Sequence, residues 1–324
     1  MSKQYDLILL DGNSIGYAAH NARELKHRTG QIQAIFFGMK MMKSAIERFG
    51  TPGRTRSQCL WDSKAQWRYD IFPDYKGKRD NTPEKAVSRR EYKRQVPILR
   101  QGLAYLGLEQ TFATGDEADD LASAIVHGRS PNQKILLVSG DQDWLQLVSE
   151  DVDWFDPRRT DAYPDGRFVD WAGFEAATGC KSVVEFAQAK ALIGDGSDNI
   201  AGVEGIGEKA VPLIFKNFGS IAKLWAWADA LPAKAIAKSD LPAELSYWRK
   251  KIETFCFAPG GRDVFKRNMQ LMSLLSKRHR GGDILKNQVT LKKPFDENAF
   301  IEFCHEYAFM TIVTDMKNWR KTFE

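Results

Sequence analysis

The chain has 324 residues, 43% of them hydrophobic, with 47 Lys and Arg against 42 Asp and Glu and a net charge of +5. That length holds one large domain, or a larger and a smaller one, with ample core. Cys59, Cys180, Cys256 and Cys304 lie far apart with no C-x-x-C pair, which excludes a zinc framework or a disulfide scaffold and points to reduced, buried thiols.

The opening MSKQYDLILLDGN is not a signal peptide, because its apolar run is short and broken by Asp11. No stretch reaches membrane-spanning length, so a cytoplasmic protein is expected. Residues 5–11 read as a buried strand ended by Gly12-Asn13-Ser14. Helical spacing follows over 14–25 and 32–49, and TPGR breaks the second helix. A strand at 56–61 leads to Asp62. Another is expected at 108–114, then a helix over 117–127, a clear strand at 134–139 and a shorter one at 152–155. This alternation predicts an α/β fold with a mostly parallel central sheet flanked by helices. From about residue 171 the pattern is helical. The domain reading is therefore an α/β core over 1–165 and a helical region over 166–324 packed on that core.

Two connecting segments stand out. Residues 73–100 carry nine Lys and Arg against four Asp and Glu, with few apolar residues before Val96, and read as a basic arch outside the core. Tyr75, Tyr92 and Pro73 interleave with the cations, a composition suited to stacking on bases beside phosphate pairing. The second segment is IAGVEGIGEKAV at 200–211. Gly202, Gly205, Gly207 and Lys209 fit a tight hairpin between two helices at about 188–218, anchored by Ile206. Its backbone N–H groups are placed to meet phosphate without reading bases.

Nine acids mark strand ends and turns: Asp11, Asp62, Glu117, Asp119, Asp120, Asp141, Asp143, Asp195 and Asp198. Parallel neighbours share one carboxyl edge, so these groups are expected to converge there. Two carboxylates about 4 Å apart repel by roughly 4 kcal/mol at an effective dielectric near 20. Protons or hard divalent cations must offset that, and Mg²⁺ suits oxygen ligands. Each acid also has an ordinary role open to it. Asp11 fits a helix cap, Glu117 a helix N-terminus, and Asp143 and Asp195 turns. The five histidines form no metal or triad pattern and read as surface or satisfied core groups.

The series LLDGNS, WD, YKGKR, EADD, SGDQD and GDGSDNIAGVEGIGEKA resembles the phage 5′–3′ exonuclease and flap endonuclease family and the 5′-nuclease domain of bacterial repair polymerases, over roughly residues 5–275. The resemblance implies a PIN-like fold with a C-terminal helix–hairpin–helix subdomain and a structure-selective nuclease acting on DNA with a 5′ flap or end, or on RNA–DNA hybrids. It implies one Mg²⁺ near Asp11, Asp62, Glu117, Asp119 and Asp120 and a second near Asp141, Asp143, Asp195 and Asp198. Mn²⁺ is the implied substitute. Lys76 and Arg79 are implied at the scissile phosphate, with Tyr75, Gly202, Gly205, Ile206, Gly207 and Lys209 as DNA-binding residues and K⁺ at the hairpin. Ala210 departs from relatives that carry a further basic residue there. A polymerase partner and a monomeric state are also implied. Two alternatives are a PIN-type ribonuclease and a non-catalytic junction-binding protein. The basic arch and hairpin argue against the first, and the full second-site acid set against the other. A phosphatase is disfavoured because Asn13 stands where D-x-D would need an acid.

Overall fold

The run LILLD is buried at every position, as a strand covered on both faces requires. It forms β1 (Leu7–Asp11) in the computed structural model, which describes residues 3–28 and 30–323. Chain order then gives α1 (Gly12–Ala22), α2 (Gln33–Phe49), β2 (Arg56–Trp61), α3 (Pro83–Tyr105), β3 (Glu109–Ala113), α4 (Ala118–His127), β4 (Ile135–Val138), β5 (Val152–Asp156) and β6 (Arg167–Val169). A last strand, β7 (Gln288–Leu291), comes from far along the chain.

Among the described residues these strands make one seven-stranded sheet, ordered β7-β3-β2-β1-β4-β5-β6. The inner five are parallel, and β6 and β7 run antiparallel at the two edges. The expected α/β class is therefore the one found. Register decides what meets at the carboxyl edge. Leu10 lies opposite Cys59 and Val138, and Trp61 opposite Phe112. Asp11, Asp62, Ser139 and the loop after Ala113 thus leave the sheet on the same side.

The chain divides into two compact units. The first takes residues up to Gln66, then Thr82–Trp171 and Lys277 onward; the second takes Trp67–Asn81 and Ala172–Ser276. The sequence reading assigned all of 166–324 to a helical region, and here the structure differs. Residues beyond Lys277 return to the first unit because β7 pairs with β3 and because Phe300, Phe303 and Trp319 join Ile8, Leu10, Trp61, Leu99 and Leu103 in its core. Each such burial contributes about 1.5–3 kcal/mol.

The basic segment 73–100 differs too. Residues 73–81 are turns of the second unit, whereas Thr82 caps α3 and begins a helix of the first. That helix is not free of the core, since it buries Tyr92, Gln95 and Leu99 while Lys85, Arg90 and Lys93 stay exposed. Polar composition concealed a helix with one narrow buried stripe.

The second unit is built on α5 (Val183–Ile193), α6 (Val211–Phe218), α7 (Ile221–Asp229), α8 (Arg249–Phe257) and α9 (Gly261–Met272). Tyr75, Ile200, Leu271 and Met272 form a small buried cluster in it. Among the described residues, no helix is long and apolar enough to cross a membrane.

Candidate functional site

The acids of the first unit are fixed by short hydrogen bonds at the carboxyl edge of the sheet. Asp11 ends β1 and is buried. Its Oδ1 accepts the Ser14 N–H at 2.9 Å, capping α1, and its Oδ2 accepts the Ser139 hydroxyl at 2.6 Å. The same Ser139 oxygen accepts the Asp141 N–H at 2.9 Å, so one hydroxyl locks two acid-bearing loops together. Asp141 Oδ1 in turn accepts the Asp143 N–H at 2.8 Å. Asp62, exposed just past β2, accepts the Ala118 N–H at 2.9 Å and ties its loop to the start of α4. Asp119 accepts the Trp144 indole N–H at 2.6 Å. Gly12 allows the close approach beneath: a Cβ there would sit 2.7 Å from the Trp61 ring.

Electrostatics show how unfavourable this gathering is without counter-charge. Burial, then Asp62 and Asp141, push Asp11 up to about 7 against the opposing help of Ser139 and Ser14. Burial, then Asp141, Asp11, Asp62 and Glu117, push Asp119 well above the usual carboxylate range. Tyr92 is raised by burial and by Asp11 and Asp62. The donors are oxygens, and their mutual repulsion is what a hard divalent cation relieves, so the residues fit such an ion. Among the described residues, no three His, Cys, Asp or Glu side chains close on one point.

Asp120, which the resemblance implied as a ligand, has both carboxylate oxygens engaged within the protein. It is fully buried, with Oδ2 accepting the Glu117 N–H at 2.9 Å and Oδ1 lying 2.9 Å from His279 Nε2. It shapes the turn that presents Glu117 and Asp119. The sequence reading missed Ser139, Trp144 and His279. Ser139 had a local signal, sitting between a buried strand and Asp141, but His279 had none.

In the second unit, Asp195 and Asp198 lie beside arch residues. Asp195 Oδ1 accepts N–H groups of Ser197 at 2.7 Å and Asp198 at 3.2 Å, and Lys190 Nζ stands 3.6 Å from Oδ2. Burial works against ionising Asp195, but Ser197, Lys190 and the backbone N–H of Asp198 outweigh it and lower its pKa. Asp198 accepts the Tyr75 hydroxyl at 2.9 Å and forms an ion pair with Arg79, and its carbonyl accepts the Lys76 N–H at 2.9 Å. Lys76 has φ 60°, and its ammonium lies 4.9 Å from the Tyr75 ring centre. Tyr75 itself is only 4% exposed and packs edge-on against Tyr69, so it is a core residue and not the base-stacking surface expected of it. Its apolar ring found burial in the second unit's small cluster.

The glycine segment joins α5 to α6. Ile206 is buried, while Gly207 and Lys209 are exposed, with open space beside Gly207. Gly205 has φ +74° and lies under the Lys251 side chain. Ala210 is fully buried, so the position that departs from relatives faces the interior. Gly202 allows backbone to touch backbone: a Cβ would come within 2.2 Å of the Ile193 carbonyl oxygen and 2.4 Å of that of Leu192. Gly202→Ala is therefore expected to destabilise the protein by about 1–3 kcal/mol. A denaturant melt checks this, and an unchanged midpoint would mean that the hairpin can shift without strain.

A family profile described as "5′-3′ exonuclease, N-terminal resolvase-like domain" matches residues 6–173. DNA polymerase I of Mycobacterium tuberculosis is 33% identical over 234 residues, covering 70% of this chain and 25% of the relative. The chain thus spans about a quarter of that relative's length. The 5′-3′ exonuclease of Mycoplasma pneumoniae is 25% identical over 311 residues, 94% of this chain and 96% of the relative. Among solved structures, T5 5′-exonuclease with bound zinc matches with a TM-score of 0.62 at 21% identity, covering 94% of this chain and 98% of that one. The catalytic core of Rad2 in complex with DNA substrate matches with a TM-score of 0.58 at 11% identity, covering 96% and 92%. At these identities the structural matches speak to the fold.

Proposed function

This chain belongs to the 5′–3′ exonuclease family, and from that premise we propose that it is a Mg²⁺-dependent, structure-selective nuclease that hydrolyses phosphodiester bonds in DNA carrying a 5′ end or flap. The observation that carries the reading is the acid cluster at the carboxyl edge of the sheet, where burial and the neighbouring carboxylates raise the pKa of Asp11 and of Asp119. Asp11, Asp62, Glu117, Asp119, Asp141 and Asp143 are the residues of the first unit that would hold divalent ions. Bound there, such ions supply an activated water and charge relief at the phosphate.

The protein's own part is to pre-set those oxygens. Ser139 couples Asp11 to Asp141, Trp144 holds Asp119, and the Ala118 N–H holds Asp62. Little reorganisation is then left for the moment of reaction. Lys76 and Arg79 are proposed to place positive charge at the scissile phosphate, with Arg79 oriented by Asp198. Asp195 and Asp198 are proposed to act in the same reaction. RNA–DNA hybrids as further substrates, Mn²⁺ as a substitute, K⁺ at the hairpin, a DNA polymerase as partner and action as a monomer complete the proposal.

The deciding experiment offers end-labelled 5′-flap, gapped and blunt duplexes and a single-stranded RNA to the protein with Mg²⁺ and with EDTA. Cleavage of the flap substrate near its junction, in Mg²⁺ alone, is expected. Cleavage of the RNA in preference would favour a PIN-type ribonuclease. Tight flap binding without cleavage would leave a junction-binding protein.

Duplex grip is proposed to come from backbone phosphates at the hairpin, with Lys209 exposed to meet them. Lys209→Ala should weaken duplex binding and reduce the slope of log K against log salt by about one. A slope equal to that of the unaltered protein would make the hairpin purely structural.

A further inference from the structure

The turn that carries Glu117 and Asp119 is gripped by a segment well beyond residue 173, where the family match ends. His279, in the short helix Lys277–Arg280, is 2% exposed, and its Nε2 lies 2.9 Å from Asp120 Oδ1. Facing a carboxylate oxygen, that nitrogen is the donor. Asp120 is fully buried and passes the contact on, because its Oδ2 accepts the Glu117 N–H at 2.9 Å. The preceding residue, Arg278, forms an ion pair with Asp116, which is 2% exposed. Asp116 in turn accepts the Ser63 N–H at 3.1 Å through its carbonyl. Two consecutive side chains therefore hold both ends of the stretch 116–120, and through Ser63 and Ala118 that stretch is tied to Asp62.

We propose that Arg278 and His279 are positioning residues for the nuclease centre. His279 orients Asp120, Asp120 fixes the backbone at Glu117, and the pair thereby sets the carboxylates of Glu117, Asp119 and Asp62 for divalent ions. Neither touches substrate; both act through the acids. A buried carboxylate left without its imidazole partner would turn toward other donors and release the helix start that it shapes. The inference deepens the metal-dependent reading above and rests on it.

Its test compares His279→Gln, whose amide nitrogen reaches the place of Nε2, with His279→Asn, whose amide falls short. Arg278→Gln is the third variant, at a side chain 41% exposed and so tolerant of change. Each is confirmed as folded by circular dichroism, then titrated with Mn²⁺ by calorimetry without DNA and assayed on flap DNA. His279→Asn and Arg278→Gln are expected to weaken Mn²⁺ binding and lower kcat by about 10–100-fold with KM unchanged. His279→Gln should stay within about threefold of the unaltered protein on both readouts. Mn²⁺ affinity and kcat unchanged in His279→Asn would overturn the proposal, as would His279→Gln impaired as deeply as His279→Asn. Arg278→Gln binding Mn²⁺ like the unaltered protein would remove Arg278 from the role. Failure of the unaltered protein to cleave any flap would instead sink the functional reading, while the calorimetric comparison still reports on the positioning.

Discussion

Asp11→Asn should reduce cleavage by at least about 100-fold and, in the metal-free protein, raise thermal stability near pH 8. Both effects come from one charge. Burial and the neighbouring Asp62 lift Asp11 from 3.8 to about 7. The unfolded chain releases this proton near its ordinary pKa and the folded chain only near 7. Between those values the folded state binds the extra proton, so stability falls as pH climbs through the window. Above pH 7 the whole penalty is present, at about 1.4 kcal/mol per pH unit of separation. Asparagine cannot ionise, and its carbonyl oxygen can still cap α1 at Ser14. Melting curves in EDTA should show the variant gaining over the unaltered protein near pH 8 and matching it near pH 4. Equal differences at the two pH values would refute the electrostatic account of Asp11, and full activity would remove it from the nuclease centre.

Asp198→Asn should also reduce cleavage by at least about 100-fold, while flap-DNA affinity changes by less than about threefold. The carboxylate pairs with Arg79 and receives the Tyr75 hydroxyl, and its residue's carbonyl holds the Lys76 N–H. An amide keeps the size and one acceptor for Tyr75, so the buried cluster around Tyr75 should survive and the protein should fold. What disappears is the charge that orients the guanidinium, and a charge-assisted pair is about twice as strong as a neutral hydrogen bond. Arg79→Ala and the double variant separate two roles. If the double variant is no worse than Arg79→Ala, Asp198 acts by orienting Arg79. If the losses multiply, Asp198 contributes a charge of its own. Undiminished turnover in Asp198→Asn would exclude both.

The parts of this molecule that were legible in the sequence are those whose cause is local. LILLD and ILLV announce strands buried on both faces, and alternation with amphipathic helices announces the parallel sheet. The acids were legible by position, because a carboxylate after a buried strand lies at the carboxyl edge whatever the details. Local and chemical roles proved compatible: Asp11 caps α1 with one oxygen and receives Ser139 on the other. What the sequence concealed depended on distant partners. QVTL alternates over only four residues and becomes a strand because β3 offers it an edge. Tyr75 and Tyr92 sit among cations and read as surface, yet Tyr75 joined an apolar cluster far along the chain and Tyr92 was buried edge-on against Tyr17. Asp120 looked like its neighbours Glu117 and Asp119, and its contact with the distant His279 was invisible in the sequence.

The return of the chain to β7 bears on how the protein is made. Its outer strand and the aromatic side chains of Phe300, Phe303 and Trp319 leave the ribosome long after β3, yet the strand completes a sheet begun at Leu7 and the rings complete its core. Pairings this remote in sequence form slowly, and an unfinished sheet edge is prone to association meanwhile. During synthesis the nascent first unit must therefore wait, with β3 uncovered, until residues 288–291 have emerged.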